Sequence, residues 1–186
     1  MNRNILILGG ARSGKSTYAQ RMAEEVAGKV IFVATAEALD VDMRARIEKH
    51  KAERPSSWRT IEASIGVASA LDGELSGVAV VLIDDITLLV SNILLGDGRG
   101  FSEPDSIDAE SVESKVVTEM QALVDLMSFS DARFLIVSNE LGLGVVPENR
   151  LARLYRDILG RANQLLAQHV DEVCLMVAGI PVKVKG

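Results

Sequence analysis

Short apolar runs alternate along this chain with longer stretches in which apolar residues recur every three or four positions. The first pattern is that of a strand buried on both faces, and the second is one face of an amphipathic helix. Residues 4 to 8 read as the first strand. Residues 16 to 27 read as the first helix, with Ala19, Met22, Ala23 and Val26 at helical spacing and Gly28 as its stop. Val30 to Ala34 is a second buried strand. Asp40 caps a helix running to about Arg54, with Met43, Arg46, Ile47 and His50 on its inner stripe and Pro55 after its end. Trp58 to Glu62 is a short extended piece, and residues 65 to 72 are weakly helical. Val78 to Asp85 is a strong strand, Thr87 to Leu95 a helix, and Gly96 to Ser106 a glycine-rich polar surface loop. A long helix follows, with Val116, Met120, Leu123 and Met127 on its core face.

Arg133 to Ser138 is the next strand, and it runs into a loop, Asn139 to Pro147, whose two glycines allow a tight path at the ligand edge and which reads either as a structural loop or as a substrate-binding loop. Residues 149 to 168 form an amphipathic helix. Leu151, Leu154, Ile158 and Leu165 point inward, and Arg150, Arg153, Arg156 and Arg161 form a basic side. Val173 to Ala178 is a strand, and Gly179-Ile180-Pro181 turns it into Val182 to Val184 as a closing antiparallel hairpin. Alternating strands and helices imply a mostly parallel sheet with helices on both faces. No repeat or linker divides the chain, so one domain over residues 1 to 186 is expected.

The junction of the first strand and first helix carries the chemistry. Gly9-Gly10-Ala11-Arg12-Ser13-Gly14-Lys15-Ser16 has the spacing G-x-x-x-x-G-K-S of a phosphate-binding P-loop. Gly9 and Gly14 lack side chains, so the loop can wrap closely and aim N–H groups at phosphate oxygens. The helix that follows presents its positive end to the same anion. Lys15 can reach the β- and γ-phosphates, and the Ser16 hydroxyl can coordinate Mg²⁺. The chain is therefore expected to bind a nucleoside triphosphate, with a P-loop NTPase fold.

Other candidates lie at the same edge of the sheet, where open α/β sheets hold ligands. Thr35 and Ala36 end the second strand. An apolar strand ending in Asp84-Asp85 has the form that helps hold Mg²⁺ beside a P-loop. Asp84 comes first after the apolar run and is the preferred partner, with Asp85 as the alternative. The chain has two histidines. His169 sits at a helix end, where it complements the dipole. His50 shares a stripe with Met43 and Ile47 and is flanked by Arg46, Lys51 and Arg54. It reads either as a structural histidine or as a nucleophile toward phosphorus.

Composition narrows the options. A net charge of −6 and no basic tail argue against a general nucleic-acid binder. The single cysteine, Cys174, excludes an internal disulfide and reads as buried packing. No apolar segment is long enough to insert in a membrane. The first strand begins almost at once, which leaves no room for a signal peptide, so a cytoplasmic enzyme is expected.

Taken in order, these blocks resemble the bifunctional adenosylcobinamide kinase / adenosylcobinamide-phosphate guanylyltransferase family. The blocks are Gly9 to Ser16, Ala34-Thr35-Ala36, and Arg46 to Lys51 with Arg54-Pro55 and Trp58 to Glu62. Leu82 to Thr87 and Ser138 to Arg153 complete them, and the tail Asp171 to Lys185 also fits. The P-loop alone is unspecific, whereas the histidine block and the Asn139-Glu140 to Pro147-Glu148-Asn149-Arg150 block together are highly specific. The resemblance implies a RecA-like sheet and a homotrimer. It makes His50 the residue that takes GMP from GTP as a covalent intermediate, with Lys49 where some relatives carry a second histidine. It implies nucleotide contacts from Gly9, Gly10, Ala11, Arg12, Ser13, Gly14, Lys15, Ser16, Ala34, Thr35, Ala36, Lys51, Ala52, Glu53, Arg54, Glu62 and Asp84. Lys15 joins His50 in catalysis, and Ser16 and Asp84 hold Mg²⁺. Some relatives carry Glu where this chain has Asp84.

The implied substrates are GTP and ATP on one side, and adenosylcobinamide and its phosphate on the other. Two further readings stay open at this point. One is a simpler P-loop kinase of a small metabolite, with His50 structural. The other is a RecA-like nucleotide switch acting on a partner.

Overall fold

In the computed structural model, residues 3–37, 51, 54–96 and 107–186 are described. The helix expected from Asp40 to about Arg54 and most of the Gly96 to Ser106 loop lie outside these residues. His50, Ala52 and Glu53 lie outside them too.

Seven strands form one sheet in the order β3-β2-β4-β5-β1-β6-β7. They are β1 (Ile5–Gly9), β2 (Lys29–Ala34), β3 (Arg59–Glu62), β4 (Val78–Asp84), β5 (Arg133–Val137), β6 (Glu172–Val177) and β7 (Ile180–Lys185). Every neighbouring pair is parallel except β6 with β7, the expected antiparallel hairpin. The described helices are α1 (Lys15–Glu24), α2 (Val67–Leu71), α3 (Ile86–Leu95), α4 (Ala109–Ser128) and α5 (Arg150–His169).

Because successive strand side chains point to opposite faces, each apolar strand feeds two cores. Ile5 and Ile7 of β1 join Phe32, Val80, Leu82, Leu135 and Val137 beneath Ala19 and Ala23 of α1. Leu6, Ile31, Val81, Ile83 and Ile136 face the other way and pack with α2, α3, α4 and α5. The small residues of α1 let it lie close to the sheet, which fixes the P-loop at its N-terminus. Val116, Met120, Leu123 and Met127 of α4 are buried as expected. On α5 the buried face is Ile158, Leu159, Ala162, Asn163 and Leu166, rotated from the leucine stripe read in the sequence. No described helix is long and apolar enough to cross a membrane.

Candidate active site

The P-loop turns from the buried end of β1 into α1. Gly9 has φ +155°, and a Cβ there would lie 2.6 Å from Ser13 Oγ and 2.8 Å from the Met176 carbonyl. Gly14 caps α1 in the left-handed region at φ +92°. Both positions therefore require glycine for the path of the loop. Lys15 is buried, and its ammonium donates to the Gly10 carbonyl at 2.7 Å. Burial lowers its pKa, and the nearby carboxylates of Asp85 and Asp84 oppose that shift. Ser13 Oγ is buried without a hydrogen-bond partner among the described residues.

The strand ends then arrange their polar groups around this loop. Ser16 Oγ donates to Asp84 Oδ1 at 3.0 Å. Asp85 takes a different part. Its carboxylate accepts from the Leu88 N–H at 2.8 Å and caps α3. Burial, and then Asp84, push the Asp85 carboxyl up to about 6. The peptide joining Asp84 and Asp85 is cis. Thr35 is fully buried, and its hydroxyl donates to the Asp85 carbonyl at 2.7 Å and accepts the Asp85 N–H at 2.9 Å. Asn92 donates to the Thr35 carbonyl at 2.8 Å. Thr35 thus locks the ends of β2 and β4 together.

Lys51, Arg54 and Glu62 come together at the β2–β3 edge. Lys51 pairs with Glu62 at 2.7 Å, a bond that holds the Glu62 carboxyl below its usual range. The Arg54 guanidinium stacks 3.9 Å from the Phe32 ring centroid and donates to Thr60 Oγ1 at 3.2 Å. Its pKa is lowered by burial, against the pull of Asp84 and Glu62. A cavity of about 540 Å³ opens beside these residues and Trp58. Ala34 and Ala36 border the same edge, and Gly10, Ala11 and Arg12 form the exposed tip of the P-loop.

A polar network at the end of β5 was not legible in the sequence. The Asn139 N–H donates to Thr87 Oγ1 at 2.8 Å, and the buried Asn163 donates to the Asn139 carbonyl at 3.0 Å. Ser138 Oγ donates to Asn163 Oδ1 at 2.7 Å, and Tyr155 OH donates to the Thr87 carbonyl at 2.8 Å. The Glu140 N–H reaches the Gly9 carbonyl at 3.0 Å. The segment after β5 is therefore held to the P-loop on one side and to α5 on the other. The one sequence signal was Asn163, a polar residue among apolar neighbours.

A lysine held in a glycine-walled loop, with a hydroxyl and a carboxylate facing each other beside it, is built for phosphate and an accompanying cation. The model of the cobinamide kinase / cobinamide phosphate guanyltransferase family matches residues 5–184. This chain belongs to that family. It is 42% identical over 181 residues to the bifunctional adenosylcobalamin biosynthesis protein CobU of Salmonella typhimurium, covering 97% of this chain and 99% of the relative. It is 41% identical to the Escherichia coli protein of the same name, with the same coverage of each chain. The fold alone is shared with a RadB recombinase structure, at TM-score 0.52 and 13% identity over 94% of this chain and 74% of that one. The resemblance read from the sequence blocks is thus borne out along the chain. With it come the family's two activities, cobinamide kinase and guanyltransferase.

Proposed function

We propose that this chain runs both reactions on one phosphate-binding frame, with ATP or GTP feeding the first and GTP the second. The Ser16–Asp84 contact is the observation that carries the reading, because it joins the P-loop to the end of β4 where a triphosphate and its cation would lie. In the kinase step, the hydroxyl of adenosylcobinamide attacks the γ-phosphorus, the bond to the β-phosphate oxygen breaks, and the nucleoside diphosphate leaves. Gly9 to Ser16 hold the phosphates through backbone N–H groups. Lys15 exchanges its bond to Gly10 for a phosphate oxygen and offsets the charge that develops there. Ser16 and Asp84 are oxygen donors suited to Mg²⁺, which would supply further neutralisation of phosphate charge.

In the guanylyl step, a neutral nitrogen of His50 attacks the α-phosphorus of GTP. A phosphorus–nitrogen bond forms, and pyrophosphate leaves. The phosphate of adenosylcobinamide phosphate then attacks the same phosphorus, His50 departs, and adenosylcobinamide-GDP forms. Splitting the transfer in two is the logic of covalent catalysis. Arg54 and Lys51, brought together beside Glu62 at the β2–β3 edge, support a nucleotide site for this step, as does the sequence block around His50. Ala52 and Glu53 of that block are part of the same proposal. Exposed Ile180, Val182 and Val184 on the edge strand β7 support a homo-oligomer, which the resemblance makes a trimer. A cytoplasmic, single-domain enzyme fits its nucleotide substrates.

The test is to give the protein cobinamide with GTP labelled at either the α- or the γ-phosphate and to separate the corrinoid products. Label from the γ-position should reach cobinamide phosphate, and label from the α-position should reach only the GDP conjugate. A protein that moves the γ-label but never the α-label would be a simple kinase.

A further inference from the structure

A cavity of about 690 Å³ lies between α5 and the segment after β5, and the phosphate site described above does not use it. Leu8 lines it one residue before the P-loop begins, and Glu140, whose N–H is bonded to the Gly9 carbonyl, lines it from the segment after β5. It therefore opens beside the phosphate-binding loop. Its walls carry glycine on both sides, Gly160 on α5 and Gly142 and Gly144 opposite.

Gly160 is informative. A glycine inside a twenty-residue helix weakens it relative to alanine. A Cβ at Gly160 would meet nothing within 4 Å among the described residues, and the same holds at Gly144. Packing within this chain thus does not require the missing side chains, and their absence keeps the cavity wide. Beside it, Leu143, Val145 and Val146 stand 81%, 95% and 58% exposed. Neighbouring apolar side chains left in water mark a surface that something covers.

We propose that this cavity seats the corrinoid acceptor, with the face of its ring on the glycine and apolar walls. The proposal rests on the functional reading above. A corrinoid is a broad, largely apolar ring edged with carboxamide arms, which both donate and accept hydrogen bonds. The cavity offers matching chemistry: Leu8, Leu141 and Val146 for the ring, and Arg156, Asp157 and Gln164 for the arms. Arg156 and Gln164 supply donors and Asp157 and Gln164 acceptors for such amides, with Arg156 and Asp157 already paired to each other at 3.0 Å. The polar network through Ser138, Asn139 and Asn163 fixes one wall against the P-loop, so a ring seated there keeps its hydroxyl arm beside the phosphates.

Gly160→Leu tests this by filling the cavity from a helix that should gain propensity. Binding of cobinamide, followed by its visible absorbance in equilibrium dialysis, should weaken at least about tenfold. GTP affinity should stay within about twofold, and thermal stability should hold. Gly144→Leu enters from the opposite wall and should act alike, which guards against a folding defect in either variant. Unchanged cobinamide affinity in both stable variants would overturn the proposal. So would a changed sedimentation coefficient, which would assign the face to a second copy of the chain. Wild-type protein that binds GTP but neither cobinamide nor adenosylcobinamide would instead defeat the functional reading itself.

Discussion

Ser16 donates its hydroxyl to Asp84 at 3.0 Å, and this bond ties the P-loop to the end of the central strand β4. The next carboxylate, Asp85, caps α3 while still lying close enough to Lys15 to oppose the lowering of its pKa. The two acids should therefore fail differently. Asp84→Asn should lower the kcat of phosphoryl transfer by about 10²-fold or more, as expected for loss of a charged group at the developing phosphate. Asp85→Asn keeps a capping side chain and should lose less than about tenfold. Steady-state kinetics on both variants decides this, and equal losses would contradict the assignment.

Asp85 also gives a pH dependence whose sign is fixed. Its carboxyl is raised from 3.8 to about 6, chiefly by burial. The native state then holds this proton more tightly than the unfolded chain does. The contribution of Asp85 to stability should fall as pH rises from about 4 to about 6 and flatten above, by an amount on the order of 1–3 kcal/mol, against the opposite slope from Glu62 and Glu172, whose carboxyls are lowered. Urea unfolding without nucleotide or Mg²⁺ should show it as a fall in wild-type stability relative to Asp85→Asn over that range. Parallel profiles for the two proteins would refute it.

Gly9 and Gly10 stand side by side but carry different constraints. A Cβ at Gly9 would meet Ser13 Oγ and the backbone of Met176, whereas one at Gly10 would meet nothing within 4 Å. Gly9→Ala should cost about 1–3 kcal/mol and distort the loop, while Gly10→Ala should change stability by less than about 0.5 kcal/mol. Thermal melts of the two variants, run in parallel, provide the comparison.

Asn163 makes one buried and one part-buried hydrogen bond that steady the segment after β5. Asn163→Ala leaves the Asn139 carbonyl without that partner and should cost about 1–3 kcal/mol. The KM for cobinamide should rise, while GTP binding remains. A variant as stable as the wild type, with unaltered cobinamide KM, would remove Asn163 from this role.

The strands and the P-loop were legible because each is written in consecutive residues. Buried strands are apolar throughout, and the loop's glycines sit where the backbone has no room for a side chain. Asp84 could be preferred over Asp85 but not separated from it, since that depends on which side of β4 each faces and on the start of α3. The rotated face of α5 has a similar cause. Leu151, Leu154 and Leu165 only half-bury, while small Ala162 and polar Asn163 sit deep because the β5 end needs a partner there. Such a requirement arises between elements distant in sequence. The first helix was read three residues too long, for its apolar stripe continues through Val26 although the helix ends at Glu24 with Glu25 as its cap.

The central claim is that one P-loop frame serves a second, covalent reaction through His50. Incubation with GTP labelled at the α-phosphate and Mg²⁺, followed by denaturation, measures it directly. The wild type should carry acid-labile, alkali-stable label, and His50→Asn should carry none while still phosphorylating cobinamide. Equal labelling of His50→Asn, or a wild type that binds GTP yet stays unlabelled, would contradict the account and return His50 to a structural role.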